Sequence, residues 1–95
     1  GVEIPDPGAS PWMLDAVAES GGTGVAVSDE AAANAALRMA RTGGVEMCLT
    51  SAVAFAGTIK LAERGTFGGD ESVVVLNTGA GCKTAPYLGR AARDA

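Results

Sequence analysis

The sequence predicts an α/β fold, a three-layer α/β/α arrangement with a parallel sheet, in which residues 1–95 form one unit. Three short apolar runs, at residues 24–27, 45–49 and 72–76, alternate with two helical patterns. Units of about 20 to 25 residues in the order strand, helix, strand, helix, strand predict right-handed crossovers between parallel strands. The third run is apolar on both faces, which is typical of a buried parallel strand.

Helix-start and helix-end signals bracket three helical patterns. A hydroxyl residue that can cap a helix stands at each start, at Ser10, Ser28, and Thr50 or Ser51. Glycines that favour a helix end follow each pattern, at Gly21, Gly22, Gly43, Gly44 and Gly65. In the second helix, residues 29–42, the spacing predicts a buried stripe of Ala33, Ala36, Leu37 and Ala40. A short helix can follow Ala85, although Pro86 and Gly89 weaken it.

Composition and charge narrow the classes of partner. Hydrophobic residues make up 47% of the chain and aromatic residues only 4%, which suits close packing of helices on a sheet. A net charge of −4 argues against nucleic acid and anionic membranes as partners. No apolar run approaches the roughly 20 residues that span a membrane, and no signal segment opens the chain.

Cysteine and histidine usage limits the chemistry that the chain can carry. The absence of histidine excludes a Cys/His zinc site and any triad with a histidine base, and we expect no metal site. Cys48 and Cys82 form no CxxC pair, so we interpret both as reduced, buried thiols. Reduced thiols predict a cytoplasmic protein.

Residues 77–84 read NTGAGCKT and follow the third apolar run, as a phosphate-binding loop would. The spacing does not fit, because a P-loop needs glycine directly before the lysine, where Cys82 stands. The dinucleotide fingerprint fits at Gly79 and Gly81, but a threonine stands in place of its third glycine. A glycine turn that ends the strand is the plain structural interpretation. Ligands of parallel sheets bind at strand carboxyl ends, where this loop and residues 48–51 both fall.

Three longer stretches together resemble one enzyme family. They read SGGTGVAVSDEAA from Ser20, ARTGGVEMCLTSAVAFAG from Ala40 and KLAERGTFGGDESVVVLNTGAGCKT from Lys60. Together they resemble the C-terminal portion of the threonine synthases, pyridoxal-phosphate (PLP) enzymes of fold type II, the fold of the tryptophan synthase β subunit. The most specific piece is VVVLNTGAGCKT, where the family has an apolar strand followed by N-T-G-x-G-L-K. Cys82 replaces the leucine of that pattern and Thr84 its aromatic or acidic residue, which we interpret as packing changes.

The resemblance implies a set of cofactor-binding residues. Thr78 would meet the pyridine nitrogen of PLP, and its neutral hydroxyl cannot hold the ring protonated as a carboxylate would. Gly79, Ala80 and Gly81 would let the backbone run close beneath the flat ring. Thr50 takes the place of a glutamate found in many members, and either contributes a hydroxyl or only caps the third helix.

The resemblance also implies that the chain is one part of a larger enzyme. The Schiff-base lysine and the glycine-rich phosphate cup of the family match no residues here, and we interpret Lys60 and Lys83 as surface lysines. We therefore expect a C-terminal fragment of a lyase of amino-acid and threonine biosynthesis, which forms threonine from O-phosphohomoserine when complete. By itself the fragment would be inactive, would carry no catalytic residue, and would bind PLP weakly or not at all.

The expected partners follow from that interpretation. They are the missing N-terminal part of the parent enzyme, a small amino-acid substrate and a second copy of the chain. The alternative function is a stand-alone, non-catalytic α/β module that acts through oligomerisation or a protein partner, because the edges of a short sheet invite pairing.

Overall fold

The computed structural model describes residues 4–5 and 7–94, and its regular structure there is helical. The elements are α1 (Ser10–Ser20), α2 (Asp29–Gly43), α3 (Leu49–Glu63), a 3-10 helix (Gly81–Thr84) and α4 (Ala85–Asp94). No residue in these described ranges forms a β-strand. The predicted three-layer α/β/α fold with a parallel sheet is therefore wrong for this chain.

The runs predicted as strands form no ladder of hydrogen bonds. Residues 45–48 and 76–79 pass each other, and Cys48 N–H donates to the Gly79 carbonyl at 3.0 Å. The side-chain amide of Asn77 adds a hydrogen bond to the Glu46 carbonyl at 3.2 Å. These bonds hold the two segments together at their ends without building a sheet.

The third apolar run, residues 72–76, is not a strand because no apolar layers cover both of its faces. A parallel strand is stable when apolar layers cover both of its faces. Val74 and Leu76 are instead 84% and 73% exposed. The apolar pattern of residues 72–76 therefore predicts a buried environment that this chain does not supply.

The second helix begins and ends where the sequence predicts. The Ser28 hydroxyl accepts a hydrogen bond from Ala31 N–H at 3.1 Å and caps α2. Asp29 and Glu30 occupy its first turn, where the positive end of the helix dipole favours acidic side chains. Gly44 ends it with φ 66°, a left-handed conformation that glycine adopts at little cost.

The predicted caps of the other two helices are displaced. α1 begins at Ser10 itself, so Ala9 holds the cap position and makes no side-chain cap bond. α3 is capped by Cys48, whose sulfur accepts from Ser51 N–H at 3.4 Å. Thr50 and Ser51, the predicted caps, lie inside the first turn of α3 instead.

The core lies where α2 packs against α3. It is made of Ala32, Ala36, Met47 and Ala52, with Val27, Met39, Val53, Phe55 and Leu88 partly buried around it. The buried face of α2 is Ala32, Ala35 and Ala36, so Ala36 of the predicted stripe is confirmed, whereas Ala33 and Leu37 are half-buried and Ala40 is exposed. Small side chains let the helices approach closely, but each removes little apolar area from water.

The molecule is more extended than a compact domain of its length. Its radius of gyration is 14.3 Å, against about 12 Å expected for a compact chain of this size. α1 contributes to this extension, because none of its residues is buried. Within the described ranges, every helix is too short or too polar to cross a membrane.

Candidate functional site

The two loops that the sequence singles out, residues 48–51 and 77–81, contact each other. Thr78 N–H donates to Ser51 Oγ at 3.0 Å, and the hydroxyl oxygens of these two residues are 3.2 Å apart. The main-chain bond from Cys48 N–H to the Gly79 carbonyl lies beside them. The glycine loop is therefore held on the first turn of α3 by three hydrogen bonds.

Atoms of the chain itself satisfy the amides at the start of α3. Leu49 N–H donates to Thr84 Oγ1 at 3.1 Å, Ser51 N–H to Cys48 Sγ, and Ala52 N–H to the Cys48 carbonyl at 2.9 Å. Free amides at a helix start would form an anion site, and these amides are already paired. Thr84, interpreted from the sequence as a packing change, thus bonds the 3-10 helix to α3.

The thiol of Cys48 sits in a polar pocket that favours its ionised form. Its residue is only 5% exposed. The hydrogen bond from the Ser51 hydroxyl, followed by that from the Ser51 amide, lowers the pKa of the Cys48 thiol, and burial opposes them. The Lys83 ammonium contributes a smaller lowering. Cys82, also predicted to be buried, is exposed.

Gly79 and Gly81 stand where a side chain would collide with the chain itself. A Cβ at position 79 would lie 2.7 Å from Cys48 Sγ and 3.3 Å from Lys83 Nζ. A Cβ at position 81 would lie 2.9 Å from Glu46 Oε1. Packing against the buried Cys48 sulfur therefore requires glycine at position 79, whereas at position 81 the exposed Glu46 side chain can move aside. The resemblance implies that these glycines also leave room for a cofactor ring, and that role stays a prediction.

The remaining predicted site residues lie at the margin of this network. Thr50 is exposed, and its hydroxyl does not take part in the bonds between Ser51 and Thr78. Ala80 is exposed and precedes the 3-10 helix, where its carbonyl accepts from Lys83 N–H at 3.2 Å. The structure thus brings Thr78 and Gly79 against α3 and leaves Thr50 beside them.

Thr78 is an exposed polar residue of the loop, as is Asn77, whose side-chain amide donates to the Glu46 carbonyl. The Thr78 hydroxyl bonds to Ser51. A hydroxyl carries one proton and two lone pairs, so this bond leaves capacity for a further partner. The arrangement can present either a proton or a lone pair to a ligand.

Ser51 is a residue of this network whose place the sequence interpretation missed. Among the residues that the structure describes, Ser51 is the one buried polar residue, with 2% of its surface exposed. The sequence suggested only a helix cap, because Thr78, its main partner, lies 27 residues away. No local pattern links two hydroxyl residues across that separation.

A groove of about 470 Å³ between α2 and α3 lies apart from these loops. It is lined by residues that include Val27, Asn34, Arg38 and Lys60, and by none of the predicted site residues. Lys60 Nζ donates to the Ala26 carbonyl at 2.9 Å, so this lysine fastens α3 to residues 24–27.

Known proteins match the chain along most of its length. A sequence profile described as pyridoxal-phosphate dependent enzyme matches residues 1–79. A threonine synthase of Methanocaldococcus jannaschii is 37% identical over 93 residues, which cover 98% of this chain and 23% of that protein. A threonine synthase of Methanosarcina acetivorans is 38% identical over 78 residues, which cover 82% of this chain and 19% of that protein.

The match confirms the resemblance and also sets its extent. The chain spans less than a quarter of the length of these two relatives. The profile ends at Gly79, so it includes Thr50 and Thr78. No solved structure matches the chain.

Proposed function

Because the chain belongs to the pyridoxal-phosphate dependent enzyme family, we propose that it is part of a threonine-synthase-like lyase and supplies the wall that faces the pyridine nitrogen of PLP. The complete enzyme would convert O-phosphohomoserine to threonine in the cytoplasm. The observation that carries this proposal is Thr78 itself, an exposed residue whose hydroxyl is held by Ser51 on the first turn of α3.

The chemistry of this loop fits the ring nitrogen. PLP, when bound, supplies an electron sink for bonds at the substrate amino acid. Thr78 offers a neutral hydroxyl, and its hydrogen-bonded neighbour Ser51 is neutral as well. A carboxylate there would favour a protonated nitrogen, whereas a hydroxyl leaves the nitrogen free to accept a hydrogen bond. Thr78 would therefore moderate the electron demand of the ring.

The neighbouring residues would keep this hydroxyl in position. Gly79 lets the loop lie against Cys48, and Gly81 lets it lie against Glu46. Thr50, exposed on the first turn of α3, is the candidate for a second hydroxyl at the ring. Each of these roles is a positional one, and none moves a proton of the substrate.

The exposed apolar residues support the proposal that the chain is one part of a larger protein. Trp12 and Leu14 on α1 are 72% and 68% exposed, and Val74 and Leu76 are 84% and 73% exposed. Large exposed apolar surfaces are typical of interaction sites. The remainder of a polypeptide as long as the two threonine synthases would be the partner that covers them.

The same exposure favours the second candidate function, a non-catalytic module that associates with itself. In that case a second copy would cover Val74 and Leu76, and the chain would need no PLP. The two candidates differ in one observable, since only the first predicts a response of bound PLP to a change at Thr78.

A hybrid enzyme tests the proposed function. In the Methanocaldococcus jannaschii threonine synthase, the segment that matches this chain is replaced by the chain. Thr78→Val should lower threonine formation and change the visible absorption of bound PLP, because the hydrogen bond to the nitrogen is lost. The expected loss in turnover is about two- to twelvefold, as for a hydrogen bond of about 0.5–1.5 kcal/mol.

Matched variants show whether the effect belongs to Thr78. Thr78→Ser keeps the hydroxyl and should keep both the spectrum and the turnover. Thr58→Val makes the same chemical change on α3, where the hydroxyl bonds only to the Ala54 carbonyl, and should have no effect on PLP. A Thr78→Val hybrid with the spectrum and turnover of its parent would disprove the assignment.

A further inference from the structure

Ser51 joins the helix and the loop through one hydroxyl group. Its oxygen lies 3.0 Å from Thr78 N, 3.2 Å from Thr78 Oγ1 and 3.4 Å from Cys48 Sγ. The residue is 2% exposed, so water does not compete for these bonds. Three polar groups therefore share the single proton and the two lone pairs of one buried hydroxyl.

Counting protons limits the possible arrangements. The Thr78 amide donates to Ser51 Oγ and so occupies one lone pair. The Ser51 proton can then go to the threonine oxygen or to the sulfur, because in both contacts either atom can be the donor. Whichever group does not receive that proton can donate its own to the second lone pair of Ser51.

Two arrangements result, and they differ in what Thr78 presents outward. When Cys48 is a thiol, its S–H donates to Ser51, Ser51 donates to Thr78, and the Thr78 proton points outward. When Cys48 is a thiolate, Ser51 donates to the sulfur, Thr78 donates to Ser51, and Thr78 presents a lone pair outward. The hydroxyl groups of Ser51 and Thr78 neither gain nor lose a proton, since only the Cys48 sulfur titrates.

We propose that Ser51 is a positioning residue that couples the Cys48 thiol to the Thr78 hydroxyl, and so sets whether Thr78 offers a proton or a lone pair to a ring nitrogen. The role of Thr78 toward that nitrogen rests on the proposed function. The coupling through Ser51 rests on the distances alone. With a thiol, an unprotonated nitrogen would be favoured; with a thiolate, a protonated nitrogen would be favoured.

The surroundings of Cys48 make both of its states accessible. Hydrogen bonds from Ser51 lower the pKa of the thiol, and Lys83, from the 3-10 helix, lowers it further. The groups of α3 that act on the sulfur are neutral, namely Ser51 and the Thr50 amide. From residues 45–48, the nearby charge is Glu46, which lies against Gly81 rather than against the sulfur.

Nuclear magnetic resonance on the 95-residue chain without cofactor tests the coupling. We follow the ¹³Cβ shifts of Cys48 and Thr78 from neutral to alkaline pH. Thr78 has no titrating group, so its shift should move with the midpoint of Cys48 if Ser51 reverses its hydrogen bonds. Ser51→Thr, which keeps a hydroxyl, should keep this shared midpoint.

Two variants interrupt the relay, which is the hydrogen-bonded series Cys48–Ser51–Thr78, at different residues. Ser51→Ala should abolish the response of Thr78 while Cys48 still titrates, and Cys48→Ala should abolish it with Ser51 intact. The methyl signals of Ala32 and Ala36 in the core report that each variant is folded. A Thr78 shift that ignores Cys48 in the unmodified chain, or that still follows it in Ser51→Ala, would overturn the proposal.

The two proposals fail separately. If Thr78→Val leaves bound PLP unchanged in the hybrid enzyme, the proposed function fails even if the relay titrates as expected. If the relay does not titrate but Thr78→Val changes the PLP spectrum, only the role of Ser51 fails.

Discussion

At the scale of single residues, Gly79 and Cys48 define how closely the loop lies on α3. A methyl group at position 79 would stand 2.7 Å from the buried Cys48 sulfur, and the loop would have to shift. We expect Gly79→Ala to lower the free energy of unfolding by about 1–3 kcal/mol, the usual cost of overpacking. Urea unfolding followed by circular dichroism measures the loss.

Gly69→Ala is the matched control for this change. A Cβ at position 69 meets nothing within 4 Å, so the free energy of unfolding should change by about 0.5 kcal/mol or less. Equal losses in both variants would show that the contact with Cys48 is not the cause.

The Cys48 thiol makes a second residue-scale prediction, on pH. Hydrogen bonds from Ser51 lower the pKa of the Cys48 thiol in the folded chain below the value that it has when unfolded. A lowered folded pKa adds stability that is complete above the unfolded pKa and is lost as pH falls through the folded pKa. The free energy of unfolding should therefore rise with pH across that window.

Cysteine variants isolate this contribution. Cys48→Ala should remove the rise between the two pKa values, whereas Cys82→Ala, at an exposed thiol, should retain it. Unfolding in urea at a series of pH values, under reducing conditions, measures both slopes. An unchanged slope in Cys48→Ala would assign the pH dependence to other groups.

At the scale of elements, the helices differ in how their starts are stabilised. Ser28 caps α2 through the Ala31 amide, whereas α1 begins without a side-chain cap although Ser10 lies there. We expect Ser28→Ala to cost about 1 kcal/mol of stability and Ser28→Asp to restore it. Ser10→Ala, the same change without a cap bond, should cost little; a similar loss would contradict the assignment. Thermal unfolding compares the variants.

The ends of α2 could be predicted because short-range chemistry decides them. A hydroxyl cap followed by two acidic residues, and a pair of glycines at the end, act within one turn of the helix. The buried face could not be predicted as well, since residues 31–33, 35, 36 and 40 are all alanine. When alanine occupies most sides of a helix, the spacing of apolar residues shows that a helix forms but not which side is buried. The sequence interpretation therefore missed Ala32 and Ala35. The Cys48 cap was missed because thiols are uncommon in that role.

At the scale of the whole molecule, exposed apolar surface predicts association. Trp12 is the single tryptophan and is 72% exposed on α1. As the concentration of the chain rises, we expect its fluorescence to shift to shorter wavelength, because apolar surfaces become covered when copies associate. A double variant, Leu14→Lys with Val74→Lys, should keep the emission of an exposed indole. Sedimentation at the same concentrations gives the mass.

The result separates two views of the molecule. A monomer with unchanged Trp12 emission at all concentrations would count against the self-associating module and would leave a larger polypeptide as the partner. A dimer that survives dilution would favour the module.

Long-range structure is where the sequence interpretation failed, and for a physical reason. The pattern of residues 72–76 records a preference for a buried, extended conformation, but pairing needs a neighbour and cover on both faces. In the described part of this chain, Val74 and Leu76 are largely exposed and do not belong to a β-strand. The sequence placed loops 48–51 and 77–81 at the carboxyl ends of strands that do not form, and the structure brings the two loops together through Ser51 and Thr78 instead. The bond between Ser51 and Thr78 could not be predicted, since these residues are 27 positions apart in the sequence.

The shared volume at positions 48 and 79 also constrains how this sequence can vary. The Cys48 sulfur fills the space that a side chain at position 79 would occupy, so each position limits the other. Among related sequences, we expect alanine at position 79 to occur together with glycine or alanine at position 48. Crossovers used to build hybrid enzymes should therefore fall outside residues 48–79, because a breakpoint between them would unite two halves selected for different partners.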